Sequence, residues 1–245
     1  MSVYNGARYL REAIDSILSQ SYHNFLFLII DDGSTDTTAE IIYSYRDKRI
    51  VFRCYQDNRG LTYRLNEGLM SIRTPFVARM DADDIALKER LQKQRQYLLG
   101  NQHVVAVGSN FRRVDSSGKT ILLSHLPGDY QQIKSQLMVR NLFKHASLLL
   151  RYDILKKVGF YNINFKLAQD YELMLRLASS YPVANLPENL LIDRYTPAAL
   201  SQKHRLASAI FTLKAQFLAV TRYGYPWWQV VYLVRGLGFV IKSLF

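Results

Sequence analysis

Two stretches of the sequence decide the fold, and each is a short apolar run followed at once by carboxylates. FLFLII at residues 25–30 leads into DDGSTD at 31–36, and FVARM at residues 76–80 leads into DADD at 81–84. Apolar runs of this length are typical of strands buried inside a sheet. The sequence therefore predicts two buried strands with acidic residues just beyond their carboxyl ends.

Helical patterns separate these strands from one another. Apolar residues at the spacing of one helix face predict a helix from Leu10 to Leu18, residues 61–72 predict a second helix, and residues 50–55 predict a third strand. Strands that alternate with helices indicate an α/β fold with a mostly parallel central sheet flanked by helices. Because such sheets bind ligands beyond the carboxyl ends of their strands, the two acidic clusters mark the candidate site.

The composition places the chain among folded proteins. Of its 245 residues, 49% are hydrophobic and 21% are charged, which excludes disordered and collagen-like chains. The one cysteine, Cys54, lies in an apolar run, so we expect a buried thiol and no internal disulfide. No signal peptide is visible at the N-terminus, and a cytoplasmic location is expected.

The positive charge is concentrated near the C-terminus. The chain carries a net charge of +12, its last acidic residue is Asp193, and residues 194–245 contain seven Lys and Arg. This predicts two units, an α/β domain at 1–200 and a basic helical tail at 201–245. A polyanionic neighbour is expected. Nucleic acid fits poorly, because the predicted crevice is acidic and the aromatic residues of the tail lie among aliphatic ones.

The tail reads as two helices. One apolar stripe predicts the first helix, and Pro226 could open a second that runs through Trp227 and Trp228 to Phe245. The stripe consists of Leu206, Ile210, Leu213, Phe217 and Val220. Arg235 and Lys242 mark a polar edge on the last helix, which favours a helix lying in the membrane surface over one that spans it. We expect peripheral contact through 205–245 at the inner face of the plasma membrane; the alternatives are packing on the protein's own core or on a second subunit.

The acidic motifs allow a binding and a local structural interpretation. Asp81 and Asp83 project to the same side of an extended backbone, and their hard oxygen ligands suit Mg²⁺ or Mn²⁺. Alternatively these carboxylates cap the helix that begins near Leu87. Asp31 or Asp32 could accept hydrogen bonds from a ligand's base or ribose, or could belong to turn chemistry alone.

Gln169-Asp170-Tyr171-Glu172 begins a predicted helix. The positive partial charge of a helix N-terminus lowers the basicity of a carboxylate, so Asp170 could act as a base only with compensating burial. Helix capping is the more usual role of such a residue. His145 has no His or Cys partner at zinc-like spacing, which favours a structural role for it.

The motifs gain meaning from their order. Taken in sequence, they closely resemble glycosyltransferase family 2 over residues 1–195. The segments that carry the resemblance are MSVYNG at 1–6, DDGSTD at 31–36, NRGL at 58–61, DADD at 81–84 and QD at 169–170. Such ordered agreement is far more specific than any single pair of aspartates.

The resemblance implies a GT-A fold and an inverting transfer of sugar from a nucleotide-sugar, with UDP favoured over dTDP or GDP. It implies that Tyr4 lies against the base, that Asp32 beside Asp31 contacts base or ribose, and that Asp81 lies near ribose and phosphates. Asp83 would bind Mn²⁺ or Mg²⁺, Asp170 would be the catalytic base, and Arg64 and Asn66 would line the donor pocket. The implied acceptor is a saccharide or a lipid-linked molecule in cell-surface polysaccharide or glycolipid synthesis.

Two features depart from the family pattern. Family members have several apolar residues before the segment that corresponds to MSVY at 1–4, so the first strand is expected to be short here. Gln169 stands where many members have a second acid, which leaves Asp170 as the candidate base of that motif. The alternative function is therefore a catalytically impaired protein that binds sugar nucleotides or serves as a scaffold.

Overall fold

The computed structural model describes residues 1–195 and 204–233. As far as the strand Phe76–Ala78, strands and helices alternate, as predicted, and the strand Ile85–Ala86 then follows it without a helix between them. The strands are β1 (Ser2–Val3), β2 (Phe27–Asp32), β3 (Ile50–Tyr55), β4 (Phe76–Ala78), β5 (Ile85–Ala86), β6 (Ala106–Val114), β7 (Thr120–Leu123), β8 (Leu149–Arg151) and β9 (Val183–Arg194). The α-helices are α1 (Ala7–Leu18), α2 (Thr38–Tyr43), α3 (Leu61–Ser71), α4 (Arg90–Gly100), α5 (Tyr130–Gln136), α6 (Tyr152–Val158), α7 (Gln169–Ser180) and α8 (Arg205–Arg222). Two short 3₁₀ turns lie at His145–Ser147 and Trp227–Val230.

The first sheet is parallel throughout and has the order β1-β2-β3. Val3 pairs with Asp31, and Asp31 pairs with Cys54, so the carboxyl ends of all three strands meet at one edge. The predicted strand at 25–30 is observed at Phe27–Asp32, which makes the two aspartates its last residues. β1 contains only two residues, as expected for a short first strand.

The second sheet is mixed. Its order is β4-β8-β6-β9-β5, with β7 paired to β6. Only β6 and β9 run parallel among these pairs, and the others are antiparallel. The prediction of a mostly parallel sheet therefore holds for the first sheet and is wrong for the second, because the chain reverses through the β6–β7 hairpin and enters β8 from the opposite direction.

β9 has no counterpart among the predicted elements. Pro187, Glu188 and Asn189 interrupt its apolar pattern, and the register to β6 shifts at Ser109 and Asn110. Proline within a sheet is tolerated at such irregularities. Because these residues interrupt the alternation of apolar and polar residues, the strand cannot be recognised from the sequence pattern.

Helix α1 packs against the first sheet. Leu10, Ala13, Ile14 and Ile17 are buried in one cluster with Ile29 of β2, as the spacing predicts. Cys54, however, is exposed, and the expectation of a buried thiol is wrong. Its strand β3 is the edge of the three-stranded sheet, so the apolar run around it is covered on only part of its surface.

Helix α8 packs against α7, which agrees with packing on the protein's own core for residues 205–222. The face that it buries is not the predicted one. Ala209, Ala215 and Ala219 point inward, whereas Ile210 and Phe217 of the predicted stripe are exposed. The small alanine side chains allow the two helices to approach closely. Alanines therefore occupy the buried face, and the larger Ile210 and Phe217 lie outside it.

Two predictions about the tail lie outside the described residues. These are the domain boundary at residue 200 and the polar edge formed by Arg235 and Lys242. Among residues 1–195 and 204–233, no helix is long and apolar enough to cross a membrane.

Candidate functional site

The loops after β1 and β2 are tied together at the shared strand edge. The backbone N–H of Asn5 donates to Ser34 Oγ at 2.9 Å, and the backbone N–H of Thr35 donates to Asn5 Oδ1 at 2.8 Å. Asn5 has a φ of 50°, in the left-handed region that asparagine tolerates better than most residues. Beside it Tyr4 is half exposed, so its ring is accessible at the edge where the resemblance placed a nucleotide base.

Asp32 is a buried acceptor that orders the loop after β3. Its carboxylate accepts hydrogen bonds from the backbone N–H groups of Arg59 at 2.9 Å and Gly60 at 2.8 Å. It also accepts from Arg64 Nε at 2.6 Å, in an ion pair in which both side chains are almost fully buried. Gly33 is required beside this loop, because it has a φ of +78° and a Cβ there would lie 2.9 Å from the backbone of Asp57. Asp32 thus connects β2, the loop and α3.

Asp31 lies on the opposite face of β2, since neighbouring residues of a strand alternate. It is buried, and its Oδ1 accepts a hydrogen bond from the backbone N–H of Ser34 at 3.0 Å. Asp31 and Asp32 therefore do not form a paired ligand. Each holds a different loop of the same strand edge.

Arg64 and Asn66, both predicted to line the donor pocket, have protein partners. Besides Asp32, the Arg64 guanidinium contacts Asp57 at 2.8 Å and Glu67 at 2.9 Å. Burial opposes its charge, but these carboxylates outweigh the burial and raise the pKa of Arg64. Asn66 donates to the carbonyl of Tyr161 at 2.8 Å and accepts from its N–H at 2.9 Å. A donor-binding role for either residue stays a prediction.

The second acidic cluster follows β4. Asp81 pairs with Arg79; burial opposes its charge, but Arg79 and further positive neighbours outweigh it and lower the pKa of Asp81 to about 2. Asp83 is partly exposed and forms no side-chain hydrogen bond with any residue that the structure describes. Burial, and next the charge of Asp81, raise the pKa of Asp83. The charge of Lys144 acts in the opposite direction but does not outweigh these two causes.

A network of buried ion pairs adjoins this cluster at Asp84. Lys144 Nζ lies 2.5 Å from Asp193 Oδ1 and 3.3 Å from Asp84 Oδ2. Burial raises the pKa of Asp84 to about 7 despite Lys144. Arg113 completes the network at 2.5 Å from Asp193. Lys144 and Asp193 had no sequence signal, because they are far apart in the chain and belong to no motif.

The capping interpretation of the second cluster is wrong. Helix α4 begins at Arg90, its N-cap residue is Glu89, and no side chain caps it. Instead, Asp81 pairs with Arg79. Asp84 lies near Lys144 and accepts a hydrogen bond from the backbone N–H of Arg194.

The donor set at Asp81 and Asp83 fits a hard divalent cation. Both supply carboxylate oxygens, and the pKa of Asp83 is raised by burial and by the charge of Asp81, which Lys144 offsets only in part. Within the described part of the chain, no group of three or more His, Cys, Asp or Glu side chains could hold a metal ion. Mg²⁺ and Mn²⁺ at such sparse sites complete their shell with substrate phosphates and water.

Asp170 lies in the first turn of α7, after Ala168 in the left-handed conformation with a φ of 54°. Burial is the main cause that raises the pKa of Asp170, and the charge of Asp81 adds to it. The N–H of Tyr171 and the amide of Asn141, which donates to Asp170 at 2.9 Å, act in the opposite direction. Asp170 nevertheless keeps intermediate solvent exposure, so its carboxylate is accessible while its pKa is raised.

His145 has a structural partner, as its isolation in the sequence suggested. Its Nε2 lies 2.8 Å from the Tyr161 hydroxyl, and Tyr161 is held by Asn66. Burial, and next the charge of Arg79, lower the pKa of His145 to about 3, so the imidazole is neutral.

Comparison with known proteins identifies the family. The family model described as "Glycosyl transferase family 2" matches residues 1–159. An uncharacterized glycosyltransferase of Methanocaldococcus jannaschii is 34% identical over 78% of this chain and 68% of its own. The O-antigen biosynthesis glycosyltransferase WbnJ of Escherichia coli is 32% identical over 78% of this chain and 76% of its own. Other relatives are longer, and a Rickettsia typhi glycosyltransferase is matched over 58% of its length.

Solved structures agree with the fold. Staphylococcus aureus TarS, in complex with UDP-GlcNAc, superposes with a TM-score of 0.75 over 98% of this chain and 71% of its own, at 16% identity. The mannosyltransferase PcManGT of Pyrobaculum calidifontis, in complex with GDP-Man and Mn²⁺, gives 0.65 over 99% of this chain and 74% of its own, at 15% identity. The predicted α/β fold of GT-A type is confirmed. The family model matches more than half of this chain. The chain therefore belongs to glycosyltransferase family 2, and the family and enzyme class predicted from its sequence are confirmed.

Proposed function

We propose that this chain is an inverting glycosyltransferase that moves a sugar from a nucleoside-diphosphate sugar to an acceptor hydroxyl. The observation that carries the proposal is the position of Asp170, a partly exposed carboxylate in the first turn of α7 that Asn141 holds at 2.9 Å. Burial also raises the pKa of this carboxyl group. A general base works best when its pKa approaches the working pH. Asp170 would remove the proton of the acceptor hydroxyl as that oxygen attacks the anomeric carbon.

The donor would lie beyond the carboxyl ends of β1 and β2, beside the loop after β4, where a Cβ at Gly6 would lie 3.6 Å from Ala82. Asp31 and Asp32 hold the loops that shape this edge, and the half-exposed ring of Tyr4 is available to stack on a base. Asp83, with Asp81 beside it, would hold Mn²⁺ or Mg²⁺. When bound, such an ion supplies Lewis acidity and offsets negative charge on the leaving diphosphate.

The chain needs no covalent nucleophile for this reaction. A single displacement from the face opposite the diphosphate inverts the anomeric configuration, so one base suffices. Asn141 keeps the Asp170 carboxylate oriented through its hydrogen bond at 2.9 Å. His145 is neutral and occupied by Tyr161, so it serves the shape of the site rather than proton transfer.

UDP is the favoured nucleotide, and a saccharide or lipid-linked acceptor in cell-surface polysaccharide or glycolipid synthesis is the favoured acceptor. Complexes of TarS with UDP and UDP-GlcNAc support the nucleotide, whereas PcManGT holds GDP-Man, so GDP must be tested too. The O-antigen role in the name of the 32% identical E. coli relative supports the acceptor class.

Titration calorimetry with UDP, dTDP and GDP, with and without Mn²⁺, tests the donor site. We expect one nucleotide to bind in a metal-dependent manner to the unaltered chain and to Asp153→Asn, an exposed control carboxylate on α6. Asp83→Ala should abolish that binding. The proposal fails if no nucleotide binds the folded chain, or if Asp83→Ala binds it equally well.

Asp170→Asn tests the base. It should bind the nucleotide as the unaltered chain does, yet release nucleoside diphosphate from the sugar nucleotide about 10²- to 10⁴-fold more slowly. If the unaltered chain binds donor but never turns it over with any acceptor, the catalytically impaired sugar-nucleotide-binding protein replaces the transferase.

A further inference from the structure

The C-terminal part of the described structure exposes a set of large apolar side chains. Ile210 and Phe217 on α8 are 51% and 56% exposed, and Trp227 and Trp228 on the following 3₁₀ turn are 79% and 53% exposed. We define the apolar face as Ile210, Phe217, Trp227, Trp228, Val230 and Val231, all of them exposed. Ile210 and Phe217 are seven residues apart and lie on one side of α8, and contiguous apolar surface of this kind marks interaction sites.

This face is held on the domain by its opposite side. Gln216 donates to the carbonyl of Met138 at 2.8 Å, Tyr223 donates to Glu172 at 2.5 Å, and Tyr225 donates to the carbonyl of Leu175 at 3.1 Å. The 3₁₀ turn in turn packs against α8. The apolar face therefore belongs to a segment whose other side is already packed against the domain. Its exposure is not the result of an unpacked helix.

The charged residues of α8 are all positive. Residues 194–245 contain seven basic residues and no acidic one. Arg205, Lys214 and Arg222 are exposed on α8 itself. A second copy of this chain would bring the same positive charges to a shared interface, and like charges placed together oppose association. A partner that fits this face therefore has an apolar interior and a negatively charged surface.

We propose that the apolar face docks on an anionic lipid surface. Tryptophan favours the boundary between headgroups and acyl chains, and Ile210 and Phe217 would enter the acyl region beside it. The basic residues of the tail would meet acidic headgroups. The docked helix would thereby orient the whole domain on the bilayer, and this does not depend on the transferase proposal.

The chain reports on this contact by itself, because Trp227 and Trp228 are its only tryptophans. We expect their fluorescence to shift to the blue with vesicles of phosphatidylglycerol and phosphatidylcholine, and brominated acyl chains to quench it. Vesicles of phosphatidylcholine alone should bind about tenfold more weakly. Added salt should weaken binding to the anionic vesicles, since screening reduces attraction between surface charges.

Two variants separate apolar insertion from charge. Ile210→Ser with Phe217→Ser keeps both tryptophans and should lower partitioning by about tenfold, whereas Met70→Ser, which removes an exposed apolar side chain of α3, should leave it unchanged. Arg205→Gln with Arg222→Gln should reduce the preference for anionic vesicles. Lys156→Gln with Lys157→Gln, on the exposed side of α6, is its matched control.

Each variant is first shown to unfold at the temperature of the unaltered chain. The proposal is overturned if the spectrum stays unchanged with anionic vesicles, or if the apolar variant partitions as its control does. It is also overturned if the blue shift appears without vesicles and follows protein concentration, with a dimer in analytical sedimentation, because a second copy then covers the face. No readout uses a sugar nucleotide, so failure here is separate from failure of the donor site.

Discussion

The two acidic clusters resemble each other in sequence but differ in electrostatic state. At the end of β2, the carboxylates of Asp31 and Asp32 accept hydrogen bonds from backbone N–H groups and, for Asp32, from a buried arginine. After β4, the pKa of Asp83 is raised by burial and Asp81, and Asp83 forms no side-chain hydrogen bond to the described residues.

This difference assigns a structural role to the first cluster and a ligand-binding role to Asp83 of the second. A carboxylate whose protein partners are complete stabilises the fold and shapes the loops around a pocket. A carboxylate such as Asp83, whose ionised form burial and a neighbouring carboxylate disfavour more than Lys144 favours it, gains when a further cation binds. We therefore expect mutations in the first cluster to affect stability most and mutations at Asp83 to affect binding most.

Asp32→Asn is expected to give the largest loss of stability. It leaves the buried Arg64 guanidinium without its closest partner, so the free energy of unfolding should fall by about 3 kcal/mol, measured by urea denaturation. Asp57→Asn, which removes an exposed partner of the same arginine, should have a much smaller effect. Equal effects of the two variants would contradict the architectural role of Asp32.

Lys144→Met tests the ion network behind the second cluster. The change removes the shared cation from Asp84 and Asp193, which keep only Arg113 and backbone partners, so we expect a loss of about 2 kcal/mol in the free energy of unfolding. Lys156→Met, at an exposed position, should be neutral. A neutral Lys144→Met would show that the network does not stabilise the fold.

The neighbourhood of His145 should make the fold acid-sensitive. Its pKa is lowered to about 3, against about 6.5 when unfolded, so between these values the unfolded state binds more protons. The contribution of His145 to stability is then fully present above about pH 6.5 and falls, by up to about 1.4 kcal/mol per pH unit, as the pH drops. Asp84, whose pKa is raised to about 7, contributes in the opposite direction, so the effect of His145 is taken as the difference between variants. His145→Asn should flatten this loss in unfolding measured from pH 7 to pH 5, whereas the exposed His103→Asn should not. The same slope in all three proteins would refute the assignment.

Asp83→Asn should have the smallest effect on stability. Because the fold disfavours the ionised form of Asp83, the free energy of unfolding should change by less than about 0.5 kcal/mol, and toward stabilisation. Metal-dependent nucleotide binding should nevertheless be lost in calorimetry. A strongly destabilised Asp83→Asn would place Asp83 with Asp32 as a structural carboxylate and erase the contrast between the clusters.

Much of the first half of the fold could be predicted from the sequence. The strands β2 and β3 and the helix α1 follow from apolar periodicity and meet at the first sheet, and α3 follows from the same periodicity. β4 was also predicted, but as a buried strand, whereas its three residues are partly or fully exposed in the second sheet. β9 could not be found this way, because Pro187-Glu188-Asn189 interrupts its pattern where the register to β6 shifts. The outward orientation of Ile210 and Phe217 was also missed, because periodicity shows that a helix has an apolar face but not which face meets the core.

The sequence by itself determined the family, the alternation of strands and helices at the start of the chain, and the placement of carboxylates at two strand ends. These are local properties, set by the spacing of apolar residues and by short motifs. The tertiary structure alone decided which carboxylates are satisfied. Lys144 and Asp193 are 49 residues apart and meet only when β9 joins β6, and the pKa of Asp170 rises only when folding buries its carboxyl group. Charge interactions depend on distance and burial, and neither exists before the chain has folded.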